Sequence, residues 1–210
     1  MRKFSLFIIA MIPYWVLAQA RVVAECTIQY TIQMNDANNA DKETINLLKA
    51  TTKNVYIKAN DSRVDLISPN FLQSVIYDKS AGSAVILREI GTNKFMTKLD
   101  AKAWEAQNAK FVDMELSFDN ETKKILGYDC KKATLKLKNG TSFSVFYATA
   151  IVPSVKDFEY QFRNIPGFVL EYEAQEGKGE KITYTATQIN LHPVQASKFD
   201  IPTSGYRLLN

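Results

Sequence analysis

Apolar and polar residues alternate with a period of two along much of the chain, which is the pattern of β-strands that bury one face. The clearest case runs from Val22 to Met34, where every second residue is apolar or cysteine and most residues between them are polar. The same alternation recurs at residues 112–118 and 168–174. These segments predict long strands of an antiparallel sheet with a buried inner face.

A tight hairpin is predicted at Asn139-Gly140, because a two-residue type I′ turn needs a positive φ at both central positions. The turn joins predicted strands near residues 128–138 and 141–150, which carry apolar residues on both faces. A curved sheet that packs on its inner face and is partly covered outside would account for that pattern. Further strands are predicted at residues 53–59, 63–67, 71–78, 84–90, 94–99, 158–163 and 180–191.

Helical patterns are few. Residues 41–50 and 100–110 each begin with aspartate, a favoured N-cap, and continue with good helix formers. Helices of about ten residues are marginal in isolation, so tertiary packing must stabilise them. The sequence therefore predicts a mainly β fold, a single open antiparallel half-barrel over residues 21–210 with two or three short helices.

The first twenty residues are typical of a secretory signal peptide and are interpreted as lying outside the fold. Arg2 and Lys3 precede a mostly apolar run, and Ala18-Gln19-Ala20 forms a small-x-small cleavage site. The alternative is an uncleaved membrane anchor, but the run is shorter than the roughly 20 residues that a span needs. We therefore expect an exported protein, periplasmic or secreted, that is cleaved near Ala20.

Composition and charge exclude several classes of protein. The chain has 210 residues, of which 46% are hydrophobic, and this is too apolar for a disordered protein. It has 26 basic and 22 acidic residues, and loss of Arg2 and Lys3 with the predicted signal peptide leaves 24 basic residues and a net charge of +2. A nearly neutral exported protein is not expected to bind nucleic acid.

The chain has two cysteines, Cys26 and Cys130. Thiols tend to pair in the compartments that exported proteins reach. A disulfide between these two would stabilise the fold by roughly 4–5 kcal/mol in the chain-entropy model. Two buried free thiols, acting as small hydrophobic side chains, are the alternative. The sequence leaves both open.

Catalytic and metal-binding motifs are scarce. His192 is the single histidine of the chain and cannot complete a histidine-based zinc site alone. The sequence has no Gly-x-Ser-x-Gly elbow and no glycine-rich phosphate loop. The carboxylate pairs Asp113/Glu115 and Glu171/Glu173 lie opposite apolar stripes and are interpreted as solvated surface. We expect a non-enzymatic protein without a cofactor or a bound metal.

Lysines cluster on the predicted hairpin and allow two interpretations. They either contact anionic lipid head groups, which would bring the protein into peripheral contact with the envelope membrane, or form a soluble strand surface. The second interpretation is simpler, because lysines along a sheet edge deter aggregation. The residues are Lys131, Lys132, Lys136 and Lys138.

Aromatic residues are concentrated in residues 143–172. The segment holds eight phenylalanines and tyrosines, a density well above the 11% aromatic content of the chain. Such a density either fills a core or lines an apolar cleft. If it lines a cleft, five residues are predicted to share one apolar surface on the concave side of the sheet and to bind a ligand there. They are Phe143, Tyr147, Phe158, Phe162 and Phe168.

Three segments, taken in order, resemble the GLPGLI family and related secreted families of Bacteroidetes. They are residues 127–133 (GYDCKKA), 143–151 (FSVFYATAI) and 165–171 (IPGFVLE). The last replaces the motif that names the family, and Phe146 stands where tryptophan is usual. The resemblance implies a fold similar to the lipoprotein-localisation carriers (LolA/LolB-like), an open half-barrel with helices over its concave side.

Three functions remain compatible with the sequence. The first is an envelope protein that binds a hydrophobic ligand, such as an acyl chain, a lipid or the tail of a lipidated protein, on the concave face. The second is a structural or interaction module that binds an envelope protein or peptide by strand addition at an open edge. The third is a hydrolase, which would need carboxylates that converge in a cleft and have perturbed pKa values.

Overall fold

The computed structural model describes residues 19–34, 42–176 and 180–209. Strands make up 57% of these residues and helices 16%, which confirms the prediction of a mainly β protein. Apart from Gln19 and Ala20, the predicted signal peptide lies outside the described residues. No helix in the described ranges is long and apolar enough to cross a membrane.

Fourteen strands and two α-helices follow one another along the described chain. The helices are α1 (Lys42–Ala50) and α2 (Ala101–Gln107), close to the two predicted positions. The strands are β1 (Arg21–Val23), β2 (Glu25–Met34), β3 (Thr52–Lys58), β4 (Asp61–Ser68), β5 (Phe71–Asp78), β6 (Ser83–Ile90), β7 (Asn93–Leu99), β8 (Glu115–Ile125), β9 (Tyr128–Lys136), β10 (Ser142–Ala148), β11 (Ile151–Pro153), β12 (Phe168–Glu176), β13 (Glu180–Asn190) and β14 (Arg207–Leu209).

Twelve of the described strands form one large sheet, in the order β14-β7-β6-β5-β4-β3-β2-β13-β12-β10-β9-β8. Its strands pair antiparallel, except for β14, which runs parallel to β7. The edge strands β14 and β8 do not pair with each other in the described chain, so the sheet is open. This open sheet fits the predicted half-barrel. Strands β1 and β11 form a separate parallel pair.

The hairpin between β9 and β10 turns at the predicted position, but its loop is longer than predicted. The Leu137 amide donates to the Thr141 carbonyl at 2.8 Å, and Gly140 has a φ of +86°. Lys136 then pairs with Ser142. The loop therefore has three residues and uses glycine at its last position, as three-residue hairpin loops commonly do.

The strand predicted at residues 158–163 is wrong. Two 3₁₀ turns, Lys156–Phe158 and Tyr160–Phe162, lie there, with Glu159 extended between them. The aromatic residues at every second position imitate a strand pattern, but this segment pairs with no strand in the described chain and instead covers the inner face of the sheet. Phe162 packs edge-on against Tyr172 of β12, with ring centroids 5.0 Å apart.

The main core lies between the inner face of the sheet and this segment. A second, smaller cluster lies on the opposite face, because Ile76 belongs to it whereas its neighbour Val75 packs against the main core. Tyr206, from the chain that follows β13, covers this second cluster. The C-terminal part of the described chain therefore seals the outer face over β5, β6 and β7.

Cys26 and Cys130 are free, buried thiols, so the disulfide that was one of the two alternatives is not formed. Three strands separate β2 from β9 in the sheet. Four strand spacings amount to about 19 Å along the sheet, whereas a disulfide needs Cα atoms within about 7 Å. Burial raises the pKa of Cys26 to about 12 and that of Cys130 to about 11.

Neither thiol is expected to react with Ellman's reagent in the folded protein at mildly alkaline pH. The thiolate is the nucleophile, and burial both raises the thiol pKa and blocks access. After unfolding in guanidinium chloride, both thiols should react fully. Rapid reaction of either thiol before unfolding would contradict this expectation.

Candidate functional site

A cleft of about 310 Å³ opens on the inner side of the sheet, between β3, β4, β5, β12 and β13 and the segment with the 3₁₀ turns. Its volume is at the lower end of the range for small-molecule sites. Aromatic, amide and aliphatic side chains line it together, so the surface is neither wholly apolar nor wholly polar. The lining residues that matter most below are Lys53, Gln73, Trp104, Glu159, Gln161 and Tyr172.

A buried lysine on β3 links the sheet, which is the floor of the cleft, to the segment with the 3₁₀ turns above it. Lys53 forms an ion pair with Glu159 and donates a hydrogen bond to the Tyr172 hydroxyl. That hydroxyl in turn donates to Glu159 Oε1 at 3.4 Å. The Lys53 ammonium also lies 5.0 Å from the ring centroid of Tyr172 and 4.8 Å from that of Tyr184. The buried positive charge is thus balanced by a carboxylate and two aromatic faces inside the site.

The alternation of buried and half-buried residues along β3 marks Lys53 as unusual, and the sequence analysis did not identify it. Lys53, Val55 and Ile57 occupy one face of β3, and all three are buried. A lysine in the buried phase of a strand is rare unless it is paired. That phase therefore marks Lys53 as a candidate for a site, although it does not identify Glu159 as its partner.

Trp104 forms one wall of the cleft. It lies on α2, whose N-cap Asp100 accepts a hydrogen bond from the Ala103 amide at 2.8 Å. Its side chain stacks on Tyr77 with ring centroids 5.6 Å apart, and the residue is 8% exposed. The indole Nε1 has no hydrogen-bond partner among the described residues. Leaving a buried donor unsatisfied costs about 1–3 kcal/mol, so this N–H favours an acceptor brought by a ligand.

The segment above the cleft is fastened at both ends. The Tyr77 hydroxyl donates to Asp157 Oδ2 at 2.8 Å, and burial, together with this carboxylate, raises the pKa of Tyr77. At the other end, the Arg163 guanidinium donates to the Val112 carbonyl at 2.5 Å and lies 4.3 Å from the ring centroid of Tyr160. These contacts hold the 3₁₀ turns in place over the sheet.

The five aromatic residues predicted to share one apolar surface all belong to the main core or pack against it. Phe158 and Phe168 have ring centroids 5.9 Å apart in the main core, where Phe162 joins them. Tyr147 is also buried, and its ring meets that of Phe118 at 6.1 Å. Four of the five are core residues, in line with the core alternative for this aromatic segment.

Phe143 is the half-buried member of the five and borders a different shallow cavity beside Glu173 and Lys181. Phe158 borders the cleft described above. The part that the five residues play in ligand binding stays a prediction.

The predicted surface carboxylates are paired with lysines. Asp113 pairs with Lys138 at 2.5 Å, and this hydrogen bond holds the pKa of the Asp113 carboxyl below its usual range. Glu115 pairs with Lys136 at 3.2 Å. Lys132 likewise pairs with Glu121 at 2.7 Å. The hairpin lysines named here therefore carry their own counter-charges, which favours the soluble-surface interpretation over contact with anionic lipids.

Chemical groups for catalysis do not converge in the cleft. Among its described lining residues, Glu159 is the one carboxylate. His192 is exposed, where its backbone amide donates to Asn190 Oδ1 at 2.9 Å. The described residues contain no group of three histidine, cysteine or acidic side chains placed to hold a metal ion. The arrangement is suited to holding a ligand by packing and hydrogen bonds.

Several solved structures are similar to the chain at low sequence identity. PNGF-II is 14% identical with a TM-score of 0.47, and the match covers 88% of this chain but 30% of PNGF-II. MucB is 11% identical with a TM-score of 0.44, over 89% of this chain and 60% of MucB. A LolA superfamily protein from Nitrosomonas europaea is 12% identical with a TM-score of 0.36, over 85% of this chain and 91% of that protein.

The match to PNGF-II spans less than a third of that protein's length. Since these TM-scores are below 0.5, no property of these proteins is transferred to the chain. No curated protein sequence matches.

The GLPGLI assignment finds no support. A different family model, described as the N-terminal domain of N-glycanase peptide, matches residues 28–197. This match spans most of the sequence, and the chain therefore belongs to the N-glycanase peptide, N-terminal domain family.

Proposed function

We propose that this chain is a non-catalytic binding domain of an exported protein, and that the cleft beside Trp104 holds the oligosaccharide of a glycoprotein. The observation that carries the proposal is Trp104, which lines the cleft and whose buried indole N–H has no hydrogen-bond partner among the described residues. An oxygen acceptor of a ligand would satisfy this donor and remove the cost of burying it alone.

The amide side chains of the cleft favour a ligand with hydroxyl groups. Gln73 accepts a hydrogen bond from Arg88 Nε at 2.9 Å through its carbonyl oxygen, which leaves its N–H groups to donate. Gln161 has the opposite arrangement, because its amide nitrogen donates to Glu159 at 2.5 Å and its carbonyl oxygen is left to accept. A hydroxyl both donates and accepts, and so it suits such a pair.

The charge of the cleft floor favours a neutral ligand. The ammonium of Lys53 and the carboxylate of Glu159 balance each other, so this ion pair needs no counter-charge from the ligand, and Lys110 is the other charged residue that lines the cleft. The acyl chain expected from the sequence suits this cleft poorly, because it would bury the amides and the Trp104 N–H without acceptors or donors. An oligosaccharide supplies both apolar ring faces and hydroxyl groups.

The family also supports a glycan ligand. The matching family is named for an N-glycanase, and this chain corresponds to its N-terminal domain. Catalytic groups do not converge among the described residues of the cleft, and a domain of this kind is suited to binding a glycoprotein while chemistry takes place elsewhere. Export, as the predicted signal peptide implies, would bring the domain into contact with glycoproteins.

A second candidate function is binding of a protein or peptide by strand addition at β8. This edge strand has eleven residues, nearly all of them exposed, and Phe118 on it is 56% exposed. An extended peptide could pair with the open edge and cover Phe118. The charged residues of β8 oppose indiscriminate pairing, so such a partner would have to complement them.

Trp104 provides a direct test of the glycan proposal. The chain has two tryptophans, and Trp15 lies in the predicted signal peptide, so in the protein cleaved near Ala20 Trp104 reports alone by fluorescence. We expect a high-mannose oligosaccharide released from a glycoprotein to change its emission saturably. Trp104→Phe should weaken binding of this oligosaccharide about tenfold in calorimetry, since a hydrogen bond contributes about 0.5–1.5 kcal/mol.

The matched control is Tyr206→Phe, which removes a hydrogen bond to Glu89 on the outer face and should leave binding unchanged. Urea unfolding of Trp104→Phe measures the packing lost with the smaller ring, because the missing N–H donor has no hydrogen-bond partner among the described residues. Equal affinity of the parent and Trp104→Phe, or no saturable binding at all, would contradict the proposal.

A further inference from the structure

A second cavity, of about 380 Å³, lies between the end of β2 and helix α1. Ile32 and Met34 of β2 line it on one side, and Ile45 and Leu48 of α1 line it on the other. Its lining is much more apolar than that of the cleft beside Trp104, where amides and charged groups alternate with aromatic rings. The two cavities therefore suit different ligands.

Helix α1 leaves much of its apolar surface uncovered. It has nine residues, none of which is buried, although it carries Ile45, Leu47 and Leu48. A helix of this length depends on packing for its stability. An apolar ligand between α1 and β2 would cover surface that the described chain leaves partly exposed.

Lys49 is the charged residue among those that line this cavity. It is exposed, and its ammonium forms no ion pair with a described carboxylate. By contrast, Lys136 and Lys138 each pair with a neighbouring acid. A cation without a counter-charge beside an apolar cavity is complementary to a molecule that joins an apolar chain to an anionic head.

We propose that this cavity binds a fatty acid, with its acyl chain between β2 and α1 and its carboxylate at Lys49. The site is separate from the glycan cleft, and it does not depend on the function proposed there. The volume lies within the range of small-molecule sites, and the apolar lining matches a chain that needs no hydrogen-bond partner. Neutral amphiphiles of equal chain length should bind more weakly, because they gain nothing from Lys49.

Calorimetry with palmitate and the full chain tests the acyl-chain contact. Ile45→Asp places a carboxylate in the cavity and should weaken palmitate binding by at least about tenfold, because a buried charge without a partner is strongly disfavoured. Leu47→Asp is the matched control, since Leu47 is 48% exposed and does not line the cavity. It should leave palmitate affinity unchanged. Circular dichroism checks that both variants keep the strand spectrum.

A second pair of variants tests the head group. Lys49→Gln should weaken palmitate binding about threefold, the size expected for an exposed ion pair, and leave binding of hexadecanol unchanged. Lys42→Gln, on the same helix but outside the cavity lining, should change neither. The proposal is overturned if palmitate does not bind, if Ile45→Asp and Leu47→Asp bind it equally well, or if Lys49→Gln affects both ligands alike.

Discussion

Replacing Gly167 with alanine is expected to remove much of the stability of the fold. A Cβ atom at this position would lie 2.1 Å from the Ala148 carbonyl oxygen and 2.7 Å from Cδ2 of Tyr147. Ala148 pairs with Phe168 where β10 meets β12, so that carbonyl has no room to retreat without breaking the ladder. Overpacking usually costs about 1–3 kcal/mol, and contact with a fixed backbone oxygen should cost about 3 kcal/mol or more.

Comparing the urea unfolding of Gly167→Ala with that of Gly91→Ala separates the cost of a close Cβ contact from the cost of a left-handed backbone conformation. Gly91 has a φ of +57°, but its added Cβ would meet nothing within 4 Å. Its replacement should therefore cost only the roughly 1–2 kcal/mol of a left-handed alanine. Equal losses in the two variants would show that the β10 and β12 backbones are not as close as described.

The strands of this fold were predictable wherever one face is buried and the other is solvated. In β2, the residues from Cys26 to Ile32 alternate between buried and more exposed positions, so the period of two appears directly in the sequence. The Asn139-Gly140 turn was predictable because few residues tolerate a positive φ. The third loop residue was not predictable, because the backbone hydrogen bond between Leu137 and Thr141 depends on how β9 and β10 meet.

The segment with the 3₁₀ turns, which forms the roof of the cleft, was predicted as a strand because Phe158, Tyr160 and Phe162 recur at every second residue. The spacing of apolar residues indicates which side chains are buried, but it does not indicate which part of the chain packs against them. Here the partners are distant in the chain: Lys53 binds Glu159 and Tyr77 binds Asp157. Such long-range contacts decide between an extended segment and 3₁₀ turns.

The cleft could not be predicted from the sequence, although the elements that carry two of its lining residues could. Trp104 lies on a predicted helix, and Lys53 stands in the buried phase of a predicted strand. Their meeting depends on the order of strands in the sheet, in which β2 lies between β3 and β13 rather than beside β1. Local patterns do not determine that order, because each strand would bury its apolar face equally well beside several others.

Replacing Glu159 with glutamine is expected to destabilise the protein by about 3–5 kcal/mol, the usual cost of removing one partner of a buried ion pair. The Lys53 and Glu159 side chains are 7% and 15% exposed, so the lysine has little access to water once the carboxylate is gone. Of the contacts described above for Lys53, those with the Tyr172 hydroxyl and the two tyrosine rings remain, and none of these groups carries a full negative charge. Urea unfolding at neutral pH measures the loss.

The double variant Lys53→Met/Glu159→Gln separates the ion pair from simple packing. It removes both charges of this pair, and uncharged replacements of buried pairs are often neutral for stability, so it should recover most of the loss seen in Glu159→Gln. If the double variant is instead as unstable as the sum of the two single variants, the charges do not interact and the roof is held by its aromatic contacts. Recovery would mean that the ion pair holds Glu159, and with it the 3₁₀ turns, over the sheet. The two charges of the pair then cancel, so the pair presents no net charge to a ligand in the cleft.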